Sequence, residues 1–139
     1  MEFWKDTQEV TTAITKMWEE VGKDAELRPL AAKLNQLIVF DYTQEGPGCA
    51  VWVDCRNNEY KVGTGIPEGS PDLTMSLSAD DAHRSWSNKL NPVMAITLKK
   101  IRIKGSATGL LKLVPKLKKV AIIYNKALTD LGMADKIMK

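Results

Sequence analysis

An α+β domain is the fold class the sequence predicts: a single five-stranded, mostly antiparallel sheet with helices packed on one face. Three observations predict it. Apolar residues recur at spacings of three and four before Leu34 and after Gly105, but with period two between Leu37 and Leu77. Gly46-Pro47-Gly48 and Asn57-Asn58 separate the alternating runs by hairpin lengths. A chain of 139 residues suits one domain, 1–139, able to bury roughly two thirds of its unfolded surface.

The first helix starts at Asp6-Thr7-Gln8-Glu9, with Asp6 as cap and Glu9 reaching back to it. Val10, Ile14, Met17, Trp18 and Val21 share a face, and Gly22 is the expected stop. A shorter helix spans Asp24 to about Leu34 and buries Leu27, Leu30, Ala31 and Leu34. Strands are expected at 37–42, 49–55, 59–63 and 73–77, forming a four-strand meander; 67–71 is a looser connection. Along the fourth strand Leu73, Met75 and Leu77 face inward while Thr74 and Ser76 face outward. Ser78-Ala79-Asp80-Asp81 caps a third helix carrying Ala82, His83 and Trp86. Asn91 caps a short turn that starts with Pro92 and presents Val93, Met94 and Ile96. A fifth strand, 100–104, turns Ile101 and Ile103 inward and ends at Gly105. Leu110, Leu113, Val114, Leu117, Ala121, Tyr124 and Leu128 mark a terminal amphipathic stretch that Pro115 divides and Gly132 stops.

Charge is divided between the two halves. Up to His83 seven Lys and Arg stand against fifteen Asp and Glu; from Arg84 onward thirteen stand against two. Mutual neutralisation of the halves on folding is the plain expectation, and a basic face is the other. Cys49 and Cys55 on one strand would lie about 20 Å apart, beyond the roughly 7 Å limit of a disulfide. No run of roughly 18 apolar residues could span a bilayer. The start, Met1 to Asp6, has no signal-peptide pattern, and the end, Lys136 to Lys139, is no peroxisomal address. The cytoplasm is the default compartment.

From Asp72 onward the chain resembles the sterol carrier protein type-2 family. The resemblance is carried by Asp72-Leu73-Thr74-Met75-Ser76-Leu77-Ser78, Asp80-Asp81, Lys89-Leu90-Asn91-Pro92, Ala95, and Lys100-Ile101-Arg102-Ile103-Lys104-Gly105. Upstream, Ile38-Val39-Phe40 and Ala50-Val51-Trp52-Val53 are similar in kind to that family's first two strands, so the likeness extends over about residues 10 to 125. Asn88 stands where the family usually has Gly, and Asn tolerates the same left-handed backbone. The resemblance implies a sterol-carrier-protein-like fold that binds a sterol, fatty acid or fatty acyl-CoA between sheet and helices.

No catalytic constellation competes with that expectation. His83, the single histidine, has no Ser or Cys nucleophile in a recognised turn, and reads as a helix-surface or half-buried residue. Gly63-Thr64-Gly65-Ile66-Pro67 lacks the Lys and Ser/Thr of a phosphate loop and reads as a turn. Asp80 and Asp81 suit a helix start. No enzyme activity, cofactor, metal or nucleic acid is therefore expected.

Plain core packing explains any one aromatic; combined with the implied layout, a cavity follows. Its expected walls are Trp52, Met75, Trp86 and Tyr124, then Val93, Met94 and Ile96 on the short turn. Ile103 on the fifth strand and Leu113 and Leu117 in the terminal stretch complete them. The expected function is non-catalytic binding, and intracellular transfer, of a hydrophobic ligand. An anionic membrane surface would be met by Lys112, Lys116, Lys118 and Lys119. The alternative is an interaction or homodimerisation module whose cavity is filled by its own side chains.

Overall fold

The first helix, α1 (Thr7–Lys23), begins where the Asp6 carboxylate accepts the Glu9 amide proton at 2.9 Å. Glu9 reaches one residue further back than expected, to the Lys5 amide at 2.7 Å. The helix also runs through Gly22. A Cβ there would lie 2.4 Å from Cε1 of Tyr60, whose hydroxyl donates to the Trp18 carbonyl. Glycine at 22 thus admits a tyrosine ring rather than ending the helix. Asp24 ends it and opens α2 (Leu27–Leu34), accepting from the Leu27 and Glu26 amides at 2.8 and 3.0 Å. The structure is a computed structural model describing residues 2–44 and 46–138. Met1 and Lys139, which figured in the readings of the two ends, lie outside the described residues.

Five strands follow: β1 (Leu37–Asp41), β2 (Ala50–Asp54), β3 (Lys61–Thr64), β4 (Leu73–Ser76) and β5 (Arg102–Gly105), in the spatial order β3-β2-β1-β4-β5. The expected hairpins join β1 to β2 and β2 to β3. The expected four-strand meander does not form, because β4 lies parallel to β1 on its other side. A hairpin needs a turn of a few residues, whereas 65–72 is long enough to cross two strands. Asp72 fixes the landing: its amide donates to the Leu37 carbonyl at 2.9 Å and its carboxylate accepts the Leu37 amide at 2.8 Å.

The register sorts side chains by face. Val51, Phe40, Met75 and Ile103 form one row across the sheet, and Val53, Ile38 and Leu73 the next, both toward the helices. Trp52, Val39, Thr74 and Lys104 form a row on the opposite face. There the Trp52 indole lies over Gly63, where a Cβ would meet Cζ2 at 2.2 Å.

Two short helices bridge β4 and β5. Ser78 caps α3 (Ala79–Trp86), accepting from Asp81 at 3.0 Å. Asn91 caps α4 (Pro92–Thr97), accepting from Val93 and Met94 at 2.9 and 3.1 Å. Between them Asn88 adopts φ 59°, the left-handed backbone expected at that position. Pro115 divides the terminal stretch as expected, into α5 (Thr108–Leu111), a 3-10 turn (Val114–Lys116) and α6 (Leu117–Asp130).

His83 is fully buried, not on a helix surface or half-buried as expected. Its Nε2 lies 2.8 Å from the Lys136 carbonyl and its Nδ1 2.7 Å from the Tyr124 hydroxyl. A carbonyl can only accept, so Nε2 carries the proton and Nδ1 accepts from Tyr124. The Phe3 and Trp4 rings close over it with centroids at 4.7 and 5.3 Å. Burial, opposing the charged form, lowers its pKa. The unfolded chain then binds a proton that the folded one refuses. Stability should be complete above the ordinary imidazole value of about 6.5 and fall as pH drops from there to the lowered value. Urea titrations at pH 7.5, 6.5 and 5.5 should show that decline, and a His83→Asn variant, though weaker throughout, should lose it.

A candidate ligand cavity between sheet and helices

The inward row of the sheet does not close completely against the helices. A gap of about 60 Å³ remains between Phe40 and Met75 on the sheet, Trp18 on α1, Ala31 on α2, Trp86 on α3 and Val120 on α6. The inner wall is built by aromatic contact. Trp18 stacks on Phe40 with centroids 5.3 Å apart, and Trp86 stands edge-on to both, at 5.4 and 5.8 Å. Every lining residue is uncharged. The rim is different: Pro92, Leu111, Leu113, Val114 and Leu117 are only half-buried, which puts the mouth between the start of α4 and the broken segment around Pro115.

A few polar atoms interrupt this wall. The indole nitrogens of Trp18 and Trp86, the Tyr42 hydroxyl and the Ser85 hydroxyl are buried without a hydrogen-bond partner among the described residues. Each costs about 1–3 kcal/mol in that state. Burial holds the Tyr42 phenol far above its ordinary pKa, so it stays a neutral donor. Such a wall can solvate an apolar body and offer hydrogen bonds to a neutral oxygen; it supplies no charge and no activated nucleophile. Burial also pushes the Cys55 thiol up to about 11, which leaves it protonated and inert. Cys49 and Cys55 are both free thiols. Among the described residues no three His, Cys, Asp or Glu side chains converge as a metal site, and no helix is long and apolar enough to cross a membrane.

Of the residues named from the sequence, Met75, Trp86, Leu113 and Leu117 meet at the gap. The others are placed elsewhere. Trp52 lies on the far face of the sheet because its strand position alternates with inward Val51 and Val53. Tyr124 is fully buried but committed to His83. Ile96 and Ile103 pack into the core beside the gap without lining it. Val93 and Met94 point to solvent: the Asn91 cap sets the rotation of α4 so that Ala95 is the residue fully buried. The floor residues Trp18, Ala31 and Phe40 were not among the walls expected from the sequence. Each was visible as an inward-facing residue, but no sequence signal separates cavity from core.

Part of the expected neutralisation between the halves is present. Lys119 pairs with Asp24 at 3.1 Å and Glu26 at 3.6 Å, and Lys116 with Glu26 at 3.6 Å. The Leu27 amide, and then Lys119, hold the Asp24 carboxyl below its usual range. Lys112 and Lys118 are exposed and have no ion pair among the described residues.

Comparison with known proteins agrees with this geometry. The profile of the SCP-2 sterol transfer family matches residues 15–132. Mouse hydroxysteroid dehydrogenase-like protein 2 is 34% identical over 76 residues, 54% of this chain but 16% of that protein's length. Thus the chain matches only a small part of that relative. In solved structures, Sterol Carrier Protein 2 from Yarrowia lipolytica (apo form) superposes with a TM-score of 0.60 and 22% identity, covering 91% of this chain and 98% of that one. Palmitated SCP2L2 from Aedes aegypti superposes with a TM-score of 0.57 and 24% identity, covering 76% and 91%. At these identities the structures speak for the fold.

Proposed function

The chain belongs to the SCP-2 sterol transfer family, and on that premise we propose that it binds a fatty acyl or sterol-like molecule between sheet and helices and carries it through the cytoplasm without chemical change. Lipid binding and transfer is the general property of the family; this ligand class and this location are our reading. The carrying observation is the uncharged gap enclosed by Trp18, Phe40, Met75 and Trp86, with its half-buried rim of leucines. SCP2L2 of Aedes aegypti, solved in palmitated form, gives an example of the kind of guest intended.

Magnitudes support it. Burying roughly 15 methylenes at about 0.8 kcal/mol each contributes about 12 kcal/mol. Loss of translational and rotational freedom costs at least roughly 4 kcal/mol. The difference of about 8 kcal/mol sets micromolar affinity before the cavity opens, and about 1–2 kcal/mol spent on opening leaves tens of micromolar. Opening is required, since ligand pockets usually measure about 300–1,000 Å³ and this gap about 60 Å³. The wall best suited to move is 108–117, a four-residue helix and a 3-10 turn rather than one continuous helix.

That narrowness favours a second reading, an interaction or dimerisation module with a filled interior. Native mass spectrometry of protein taken directly from cells, with displacement of a fluorescent fatty acid, separates the two. A bound lipid mass and displacement at tens of micromolar are expected. A lipid-free dimer that displaces nothing would refute the carrier reading.

A further inference from the structure

We propose that α4 and the turn after it form a membrane-docking tip that sets the cavity mouth against an anionic bilayer. Val93, Met94 and Leu98 are 52%, 55% and 58% exposed, although each is a large apolar side chain. They fall within six residues of chain, on the outer side of a helix whose inward residue is Ala95. Lys89, Lys99 and Lys100 flank them, exposed and without an ion pair among the described residues. Along the chain this stretch is uniformly basic: no Asp or Glu occurs between Arg84 and Asp130.

The turn at the end of α4 is specifically shaped. Lys99 holds a left-handed backbone, φ 59°, that glycine would adopt more readily. The amides of Lys100 and Ile101 both donate to the Ala95 carbonyl, at 2.8 and 3.2 Å, and hold two consecutive lysines beside Leu98. Apolar side chains that enter the acyl boundary, fringed by lysines that reach the headgroups, match an anionic leaflet. A protein partner fits less well. Stable protein interfaces use roughly 20–30 residues a side, and a second copy meeting it tip to tip would set Lys99 and Lys100 against like charges. Position supplies the purpose: Pro92, the first residue of α4, belongs to the rim of the cavity. Lys112, exposed in the opposite rim segment, faces solvent as a further cation.

This inference depends on the carrier reading for its purpose, not for its test. Sedimentation with large phosphatidylcholine vesicles, with and without about a third phosphatidylserine, measures docking without any cavity ligand. Binding to the anionic vesicles only is expected, falling with salt. Val93→Ser/Met94→Ser/Leu98→Ser should weaken it at least tenfold. Lys89→Ala/Lys99→Gly/Lys100→Ala should weaken it about a hundredfold, from about fivefold per lysine, and flatten the salt dependence. Ile66→Ser, whose side chain is exposed at the far face of the sheet, should bind like the parent. Far-ultraviolet circular dichroism and the urea midpoint should stay near the parent's in all three, which shows that they fold. Parent-like vesicle binding by the apolar triple variant, or a micromolar dimer that this variant dissociates, would overturn the proposal. Docking without fatty-acid displacement in the parent would refute the carrier reading and leave the tip in place.

Discussion

Replacing Gly105 with alanine is expected to destabilise the protein by about 3 kcal/mol or more, the sum of left-handed strain and a backbone clash. Gly105 ends β5 with φ 101°, opposite Leu73 in the register. A Cβ there would lie 2.2 Å from the Asp72 carbonyl oxygen, 3.1 Å from its carbon and 3.2 Å from the Leu73 Cα. These are backbone atoms and cannot turn aside as a side chain would. Nor can Asp72 move alone, because both its amide and its carboxylate are bonded to Leu37. The alanine therefore acts on the joint between β1, β4 and β5 together. Gly65 provides the contrast: its φ is 82°, yet nothing lies within 4 Å of a Cβ placed there. Gly65→Ala should cost only about 1 kcal/mol of conformational strain. Urea midpoints of the two variants, compared at equal slope, measure the difference.

Met75→Trp should abolish most ligand binding while leaving a folded protein. Met75 stands in the inward row between Phe40 and Ile103 and lines the gap. An indole there occupies space that the thioether leaves open. Overpacking costs about 1–3 kcal/mol, which a marginally stable domain of this size survives. A ligand denied the contacts of four methylenes loses about 3 kcal/mol, a drop in affinity of roughly a hundredfold. The filled-interior reading expects the same change in stability but no change in any binding. Displacement of a fluorescent fatty acid, read beside a urea midpoint, distinguishes them.

Most of the fold was legible because its signals are local. Asp6, Ser78 and Asn91 cap the helices that their spacing predicts, and Pro115 divides the terminal stretch. The placement of β4 was not legible. Leu73, Met75 and Leu77 alternate identically whether the strand extends a meander or crosses to pair parallel with β1; the long-range Asp72–Leu37 bonds decide, and sequence spacing does not encode them. The candidate site was legible only in part, for a similar reason. Met75, Trp86, Leu113 and Leu117 were identifiable as inward-facing residues on the elements that meet at the gap. Val93 and Met94 were misplaced because a six-residue helix is too short for its periodicity to reveal which side is covered. Tyr124 was assigned to the walls although its hydroxyl serves His83, a pairing across 41 positions.

The fastening of both chain ends onto α3 has a topological consequence. Glu2 and Phe3 donate their amides to Asp80, Trp4 donates its indole proton to the Ala79 carbonyl, and Lys136 donates through its ammonium to the Phe3 carbonyl. Residues 2–4 and Lys136 are thus neighbours in space. A short linker placed between them, with the backbone opened in the exposed 65–71 connection, would leave every wall of the gap supplied by the same strands and helices in a rotated order.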